Sequence, residues 1–120
     1  MLRILVADDH GIVRSGLKML IERQDGMRVV AEAGDGVEAV ERYLELRPEV
    51  TTLDITMPEK DGLSALREII EHDPTARVVM CSALGQESKV LESIKLGAKD
   101  FVVKPFQADR VLGAVEKALG

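Results

Sequence analysis

Five residues carry side chains that could act together: Asp8 and Asp9, Asp54, Ser82 and Lys104. Asp8, Asp54, Ser82 and Lys104 each follow directly on a short apolar run and Asp9 comes one residue later, though the five are scattered over almost a hundred residues of chain. Three carboxylates brought together repel, so without a cation at least one of them must bind its proton more tightly than usual. A divalent metal resolves this. Oxygen ligands without histidine or thiolate suit a hard ion. A site with few protein ligands, which keeps waters and shares a phosphate oxygen, suits magnesium better than calcium. Asp9 and Asp54 are the expected direct ligands, with Asp8 reaching the ion directly or through water. With Lys104 opposite, the cleft keeps two negative charges in excess, which one divalent ion cancels, so an incoming phosphoryl group is held rather than repelled. A carboxylate can accept that group as an acyl phosphate. Asp54, central among the apolar runs, is the expected nucleophile. Lys104 and the metal then stabilise charge on the equatorial oxygens, and Ser82 donates to the attached group.

These residues converge only if particular elements bring them there. Short apolar runs occur at Ile4 to Ala7, Val29 to Ala31, Val50 to Leu53, Val78 to Cys81 and Phe101 to Val103. Between them, Ile12 to Glu22, Val37 to Leu46, Leu63 to Glu71, Ser88 to Leu96 and Ala108 to Leu119 carry apolar residues at helical spacing, as in the stripe Leu63, Leu66, Ile69 and Ile70. Turn residues punctuate the boundaries, among them Asp25-Gly26, Gly34-Asp35-Gly36, Asp61-Gly62 and Asp73-Pro74. Five strands alternating strictly with five helices predict an α/β, doubly wound parallel sheet covered on both faces. Right-handed crossovers point every strand the same way, so all strand ends lie along one edge, where such sheets bind ligands.

Composition sets the outer limits. At 120 residues the chain is predicted to be one domain, residues 1–120. A net charge of -5 argues against direct nucleic-acid binding or an anionic membrane, both of which need basic surface. No apolar run is long enough to span a membrane and no signal peptide opens the chain. The lone Cys81 cannot form an internal disulfide and there is no asparagine to glycosylate, so the expected location is the cytoplasm. Cys81 reads as a small buried residue rather than a nucleophile, since no basic neighbour would activate it.

The segments Leu5-Val6-Ala7-Asp8-Asp9, Leu53-Asp54-Ile55-Thr56-Met57-Pro58 with Asp61-Gly62, Met80-Cys81-Ser82-Ala83, Gly97-Ala98-Lys99-Asp100-Phe101 and Lys104-Pro105-Phe106 together resemble the CheY-like receiver domain of two-component response regulators, over essentially the whole chain. The resemblance implies a flavodoxin-like (βα)5 fold with strand order 2-1-3-4-5. It implies a phosphorelay switch in which a sensor histidine kinase or phosphotransfer protein phosphorylates Asp54. Magnesium would be held by Asp9, Asp54 and the main-chain carbonyl of Thr56. Ser82 and Phe101 would form the switch, with a cis bond before Pro105 orienting Lys104. The side chains two after the acceptor and two after the switch hydroxyl, Thr56 and Leu84, would tune hydrolysis; Leu84 cannot orient a water, so slow self-dephosphorylation is expected. Such a domain catalyses only its own phosphorylation and dephosphorylation.

Two outputs stay open. Ala7-Asp8-Asp9-His10 with Val13-Arg14-Ser15-Gly16-Leu17 resembles DNA-binding regulators of the NarL type with the effector domain absent, whereas Cys81-Ser82-Ala83 through Lys104-Pro105-Phe106-Gln107 resembles single-domain chemotaxis regulators of the CheY type. A final helix ending at Leu119-Gly120 favours the latter. The expected partner surface is the fourth helix, fifth strand and fifth helix, the protein being a monomer or a phosphorylation-dependent dimer. On the fourth helix Val90, Leu91 and Ile94 are expected to face the sheet and Lys89, Glu92, Ser93 and Lys95 the solvent, and Gly113 to mark a close approach on the fifth.

Blander readings exist for each residue: Asp8 or Asp9 as a helix cap, Ser82 as a turn hydroxyl, Lys104 as a surface charge, His72 as an exposed helix end and Phe101 as part of the core edge, with His10 near the cleft mouth. A magnesium-dependent aspartyl phosphatase would need a second aspartate two residues after the nucleophile, where Thr56 stands. A flavodoxin-like electron carrier would want a hydroxyl-rich loop after the first strand, where the aspartates stand. Gly34-Asp35-Gly36-Val37-Glu38-Ala39 matches a dinucleotide pattern, but Asp35 would repel pyrophosphate, and the segment reads as a plain turn.

Overall fold

A computed structural model describes residues 1–120. The strands are β1 (Leu2–Ala7), β2 (Met27–Ala33), β3 (Val50–Asp54), β4 (Val78–Ser82) and β5 (Asp100–Val103). The helices between and after them are α1 (Gly11–Glu22), α2 (Gly36–Leu46), α3 (Gly62–His72), α4 (Glu87–Leu96) and α5 (Ala108–Leu119). All neighbouring strands are parallel, in the order β2-β1-β3-β4-β5, as expected. The central strands β3 and β4 are buried along their whole length, as expected for a parallel sheet covered on both faces, and β4 accordingly reads as a nearly continuous apolar run.

Alternation of side chains across the sheet divides the core. Leu5, Leu53 and Met80 pack on one face against α2, α3 and α4, and Ile4, Val6, Val79 and Cys81 on the other against α1 and α5. Burial of each large aliphatic side chain contributes about 1.5–3 kcal/mol. Thr51 and Thr52, in the middle of β3, bury hydroxyls without hydrogen-bond partners.

The loops next to the strand ends are held by caps and by close approach. Asp35 caps α2 by accepting from Glu38 N at 2.8 Å, and Asp61 caps α3 by accepting from Ser64 N at 2.8 Å. The dinucleotide-like segment is thus a helix cap, as its plain-turn reading holds. A Cβ at Gly62 would lie 2.1 Å from the Asp54 carbonyl oxygen, and one at Gly36 would lie 1.8 Å from that of Lys60. Glycine at 62 therefore lets α3 start directly beneath Asp54, a role beyond the turn its sequence suggests.

Two expectations for the helices are corrected. Only Val90 and Ser93 of α4 are buried, while Leu91 is 63% and Ile94 41% exposed. Ser93 tolerates burial because its hydroxyl donates to the Val90 carbonyl at 2.6 Å, and α4 is accordingly rotated to present Leu91 and Ile94 outward. Gly113 makes no close approach: a Cβ there would have no neighbour within 4 Å.

Since Gly113 costs helix stability without a packing reason, Gly113→Ala is expected to stabilise the fold by about 0.5–1 kcal/mol. Urea denaturation checks this, and a midpoint equal to or below wild type would reveal a contact at that face.

Candidate functional site

The four strand ends deliver their polar residues to one cleft. Asp8 follows β1 and is 1% exposed; Asp54 ends β3 at 3%, and Ser82 ends β4 at 2%. Asp9 and His10 lie on the exposed rim. Neither aspartate caps α1. His10 occupies the cap position, and Asp8 Oδ1 instead accepts from His10 N at 2.8 Å, folding the acidic loop over the strand end. The His10 ring stands at the cleft mouth as expected, its Nδ1 3.0 Å from Asp9 Oδ1 and 3.3 Å from Asp8 Oδ1.

Lys104, just past β5, reaches across the cleft. Its Nζ donates to Asp54 Oδ2 at 2.8 Å and lies 3.0 Å from Asp8 Oδ2. The second contact is an ion pair without hydrogen-bond alignment, so Asp8 Oδ2 is buried with no hydrogen-bond partner. Burial pushes the Asp54 carboxyl above its usual range; the Lys104 ammonium opposes this, and the Asp8 charge adds to it. For Lys104 burial disfavours the charge, but Asp54 and Asp8 outweigh it and hold the ammonium above its usual range. Cys81, fully buried beside them, has its thiol pushed up by burial and then by the charges of Asp54 and Asp8, as befits an inert packing residue.

The three carboxylates fit a hard divalent cation, with the His10 ring nitrogen at the rim beside them. One ligand atom from each of Asp8, Asp9, His10 and Asp54 lies within 4.8 Å of the others. One ammonium faces these three carboxylates, and one buried carboxylate oxygen has no hydrogen bond.

The remaining expected residues are distributed around this centre. Thr56 is exposed two residues past Asp54, and its N–H donates to Asp54 Oδ1 at 3.3 Å. Phe101 pairs with Met80 in the sheet and is half-buried against the core, with the Arg110 guanidinium 5.6 Å from its ring centre. The Lys104-Pro105 bond is cis, as expected. His72 is exposed on α3, away from the cleft residues.

Two contributors are not foreseen in the sequence reading. Arg14 on α1 donates to the Asp8 carbonyl at 2.6 Å and to Glu32 at 3.3 Å, bracing the acidic loop. Gln86, just before α4, accepts from Ala83 N at 2.7 Å and donates to the Thr56 hydroxyl at 2.9 Å. A glutamine at a helix N-cap, where Ser, Thr, Asp or Asn is usual, was the available signal.

A five-stranded parallel sheet wound with five helices, with an acidic pocket and an opposed lysine at its carboxyl edge, is the architecture of receiver domains. Residues 4–116 match the response regulator receiver domain family, and the chain belongs to it. It is 56% identical to the chemotaxis protein CheY of Listeria monocytogenes over 118 residues, covering 98% of each chain. With CheY of Bacillus subtilis it shares 54% over 98% of this chain and 97% of the other. Among solved structures it resembles the CheX-CheY-BeF3-Mg+2 complex from Borrelia burgdorferi, with TM-score 0.93 and 37% identity over 99% of this chain and 90% of that one. Identity of this order along whole CheY chains favours the CheY-type reading over the NarL-type one.

Because the folded-state Asp54 carboxyl lies above its unfolded value of about 4, its contribution to stability is present below about pH 4 and is lost as pH rises through the folded-state value. In metal-free buffer at pH 7, Asp54→Asn should therefore melt higher than wild type. Magnesium should raise the wild-type melting temperature and barely move that of Asp54→Asn. Scanning calorimetry with and without magnesium decides, and equal magnesium shifts in both proteins would refute the assignment.

Proposed function

We propose that this receiver domain is a phosphorylation-controlled chemotaxis-type switch in which Asp54 accepts a phosphoryl group from the phosphohistidine of a sensor kinase or phosphotransfer protein. The observation that carries this reading is the meeting of Asp8, Asp9 and Asp54 with Lys104 at one strand-end cleft. Asp9, Asp54 and the Thr56 main-chain carbonyl would hold magnesium, with Asp8 reaching it directly or through water. When bound, the ion supplies the positive charge that offsets the carboxylates and the phosphoryl oxygens.

An Asp54 carboxylate oxygen attacks phosphorus as the donor's P–N bond breaks. The electron pair stays on the imidazole, which takes its proton from solvent, and an acyl phosphate remains on Asp54. Lys104, already 2.8 Å from the Asp54 carboxylate, shifts its contact to the new phosphoryl oxygens. Ser82 supplies a hydroxyl hydrogen bond from β4. Water later cleaves the O–P bond and returns the carboxylate. An external phosphatase activity is disfavoured because Thr56, whose hydroxyl is bonded to Gln86, stands where a second acid is needed. The chemistry is therefore that of a switch acting on itself.

The output reading rests on apolar surface. Leu84, Leu91, Ile94 and Val103 are exposed on α4, β5 and the β4–α4 loop. A cavity of about 290 Å³ is lined by Ser82, Leu91, Val103 and Phe101, beneath that surface. Movement of Ser82 and Phe101 would reshape this face for a downstream protein. The acidic chain and the absence of any helix long and apolar enough to cross a membrane agree with a protein partner and action in the cytoplasm.

Incubation with acetyl phosphate and magnesium should add one phosphoryl group by intact mass in wild type, none in Asp54→Ala and none without magnesium. After removal of the donor the label should decay slowly, since exposed Leu84 offers no group to orient water. An unmodified wild type would sink the reading, and rapid decay would sink the lifetime expectation. Phe101→Ala should still take up the phosphoryl group yet lose the phosphorylation-dependent part of partner binding; unchanged dependence would remove Phe101 from the switch.

A further inference from the structure

The β4–α4 connection turns through Ala83, Leu84, Gly85 and Gln86, with Gly85 at φ +88°, where glycine is favoured. Gln86 occupies the N-cap position of α4, yet its side chain makes no cap hydrogen bond to that helix. It reaches the other way. Its Oε1 accepts from Ala83 N at 2.7 Å and its Nε2 donates to the Thr56 hydroxyl at 2.9 Å, in the loop that follows Asp54. Thr56 N in turn donates to Asp54 Oδ1 at 3.3 Å. One half-buried amide thus ties the loop after β4 to the loop that follows Asp54.

The place of Ala83 gives this tie its meaning. In the sheet register Asp54 lies beside Cys81, and the Ile55 N–H bonds to the Cys81 carbonyl, so the next groups of β4 beyond the acceptor are the Ser82 hydroxyl and the Ala83 N–H. A tetrahedral phosphoryl group on Asp54 brings three oxygens to this edge and needs donors. Lys104 and Ser82 are at hand, but the Ala83 N–H is already engaged by Gln86. An engaged donor must first be released, and each neutral hydrogen bond given up changes an equilibrium by roughly three- to tenfold.

We propose that Gln86 is a positioning residue for phosphoryl transfer: it latches the Ala83 N–H and the Thr56 hydroxyl in the resting protein, and releases them as Asp54 is phosphorylated. This rests on the reading of Asp54 as acceptor. The latch holds the unphosphorylated loop conformation and slows phosphorylation from small donors. By the same coupling it makes the position of the β4–α4 loop, and of Leu84 at its tip, depend on the state of Asp54.

The test uses Gln86→Met, which keeps length and bulk without donor or acceptor, Thr56→Val, and the double variant. In the unphosphorylated proteins, hydrogen exchange at the Ala83 amide should quicken by roughly three- to tenfold in Gln86→Met. Phosphorylation by acetyl phosphate with magnesium, followed by intact mass, should quicken by a similar factor, with melting temperature little changed. Thr56→Val should show a smaller gain, and the double variant should match Gln86→Met. A side chain that merely braced the turn would lower the melting temperature and leave phosphorylation unchanged or slower, and either rate result overturns the latch, as does unchanged Ala83 exchange. Absence of label in wild type would instead overturn the assignment of Asp54, so the two failures are distinct.

Discussion

The arrangement of this molecule depends on one charge imbalance: a single ammonium, Lys104, shared between two buried carboxylates, Asp54 and Asp8, with a third, Asp9, on the rim. Partial compensation leaves Asp54 ionised only at a cost, with one Asp8 oxygen lacking a hydrogen bond. Such a cleft gains by taking up positive charge, and it is responsive because it is unsatisfied. Stability is given up at the strand ends, where the rest of the domain can hold an unfavourable arrangement in place.

That support is visible in the surrounding shell. Two apolar layers clamp the central strands, so the carboxylates cannot separate by moving apart. Gly62 brings α3 against the Asp54 carbonyl, Arg14 ties down the Asp8 carbonyl, and Asp61 caps the helix that begins beneath the site. On the β4 and β5 side, a cavity between Ser82 and Phe101 lies beside the exposed apolar residues Leu84, Leu91 and Val103. In the proposed switch, that cavity is the path by which a charge change at Asp54 would be expressed toward α4 and β5. The Arg110 guanidinium, bonded to Asp100 at 3.0 and 3.1 Å and stacked near Phe101, fixes the far end of that path.

Some of this was legible in the residues and some was not. Helical spacing correctly located α4 but misassigned its faces, because periodicity tells which residues share a side and not which side meets the sheet. Ser93 looks polar until its hydroxyl is seen to bond its own helix backbone, and Leu91 and Ile94 look like core until the rotation is known. Gly113 suggested a close approach and has none, whereas Gly36 and Gly62, read as turns, stand against the carbonyls of Lys60 and Asp54. Gln86 escaped notice because a long flexible amide acquires meaning only from what lies within its reach.

The residue pattern alone specifies the alternation of strands and helices, the direction of every strand, and hence the edge at which Asp8, Asp9, Asp54, Ser82 and Lys104 emerge. These follow from side-chain periodicity and crossover handedness, which are local or nearly so. Long-range packing sets that Lys104 bonds Asp54 while leaving Asp8 Oδ2 without a hydrogen bond, that His10 and not an aspartate sits at the start of α1, and that Gln86 ties the loop after β4 to Thr56. The reason is physical: those partners lie on different loops, and their separations, a few ångströms in either case, are set by sheet register and helix packing summed over the whole core.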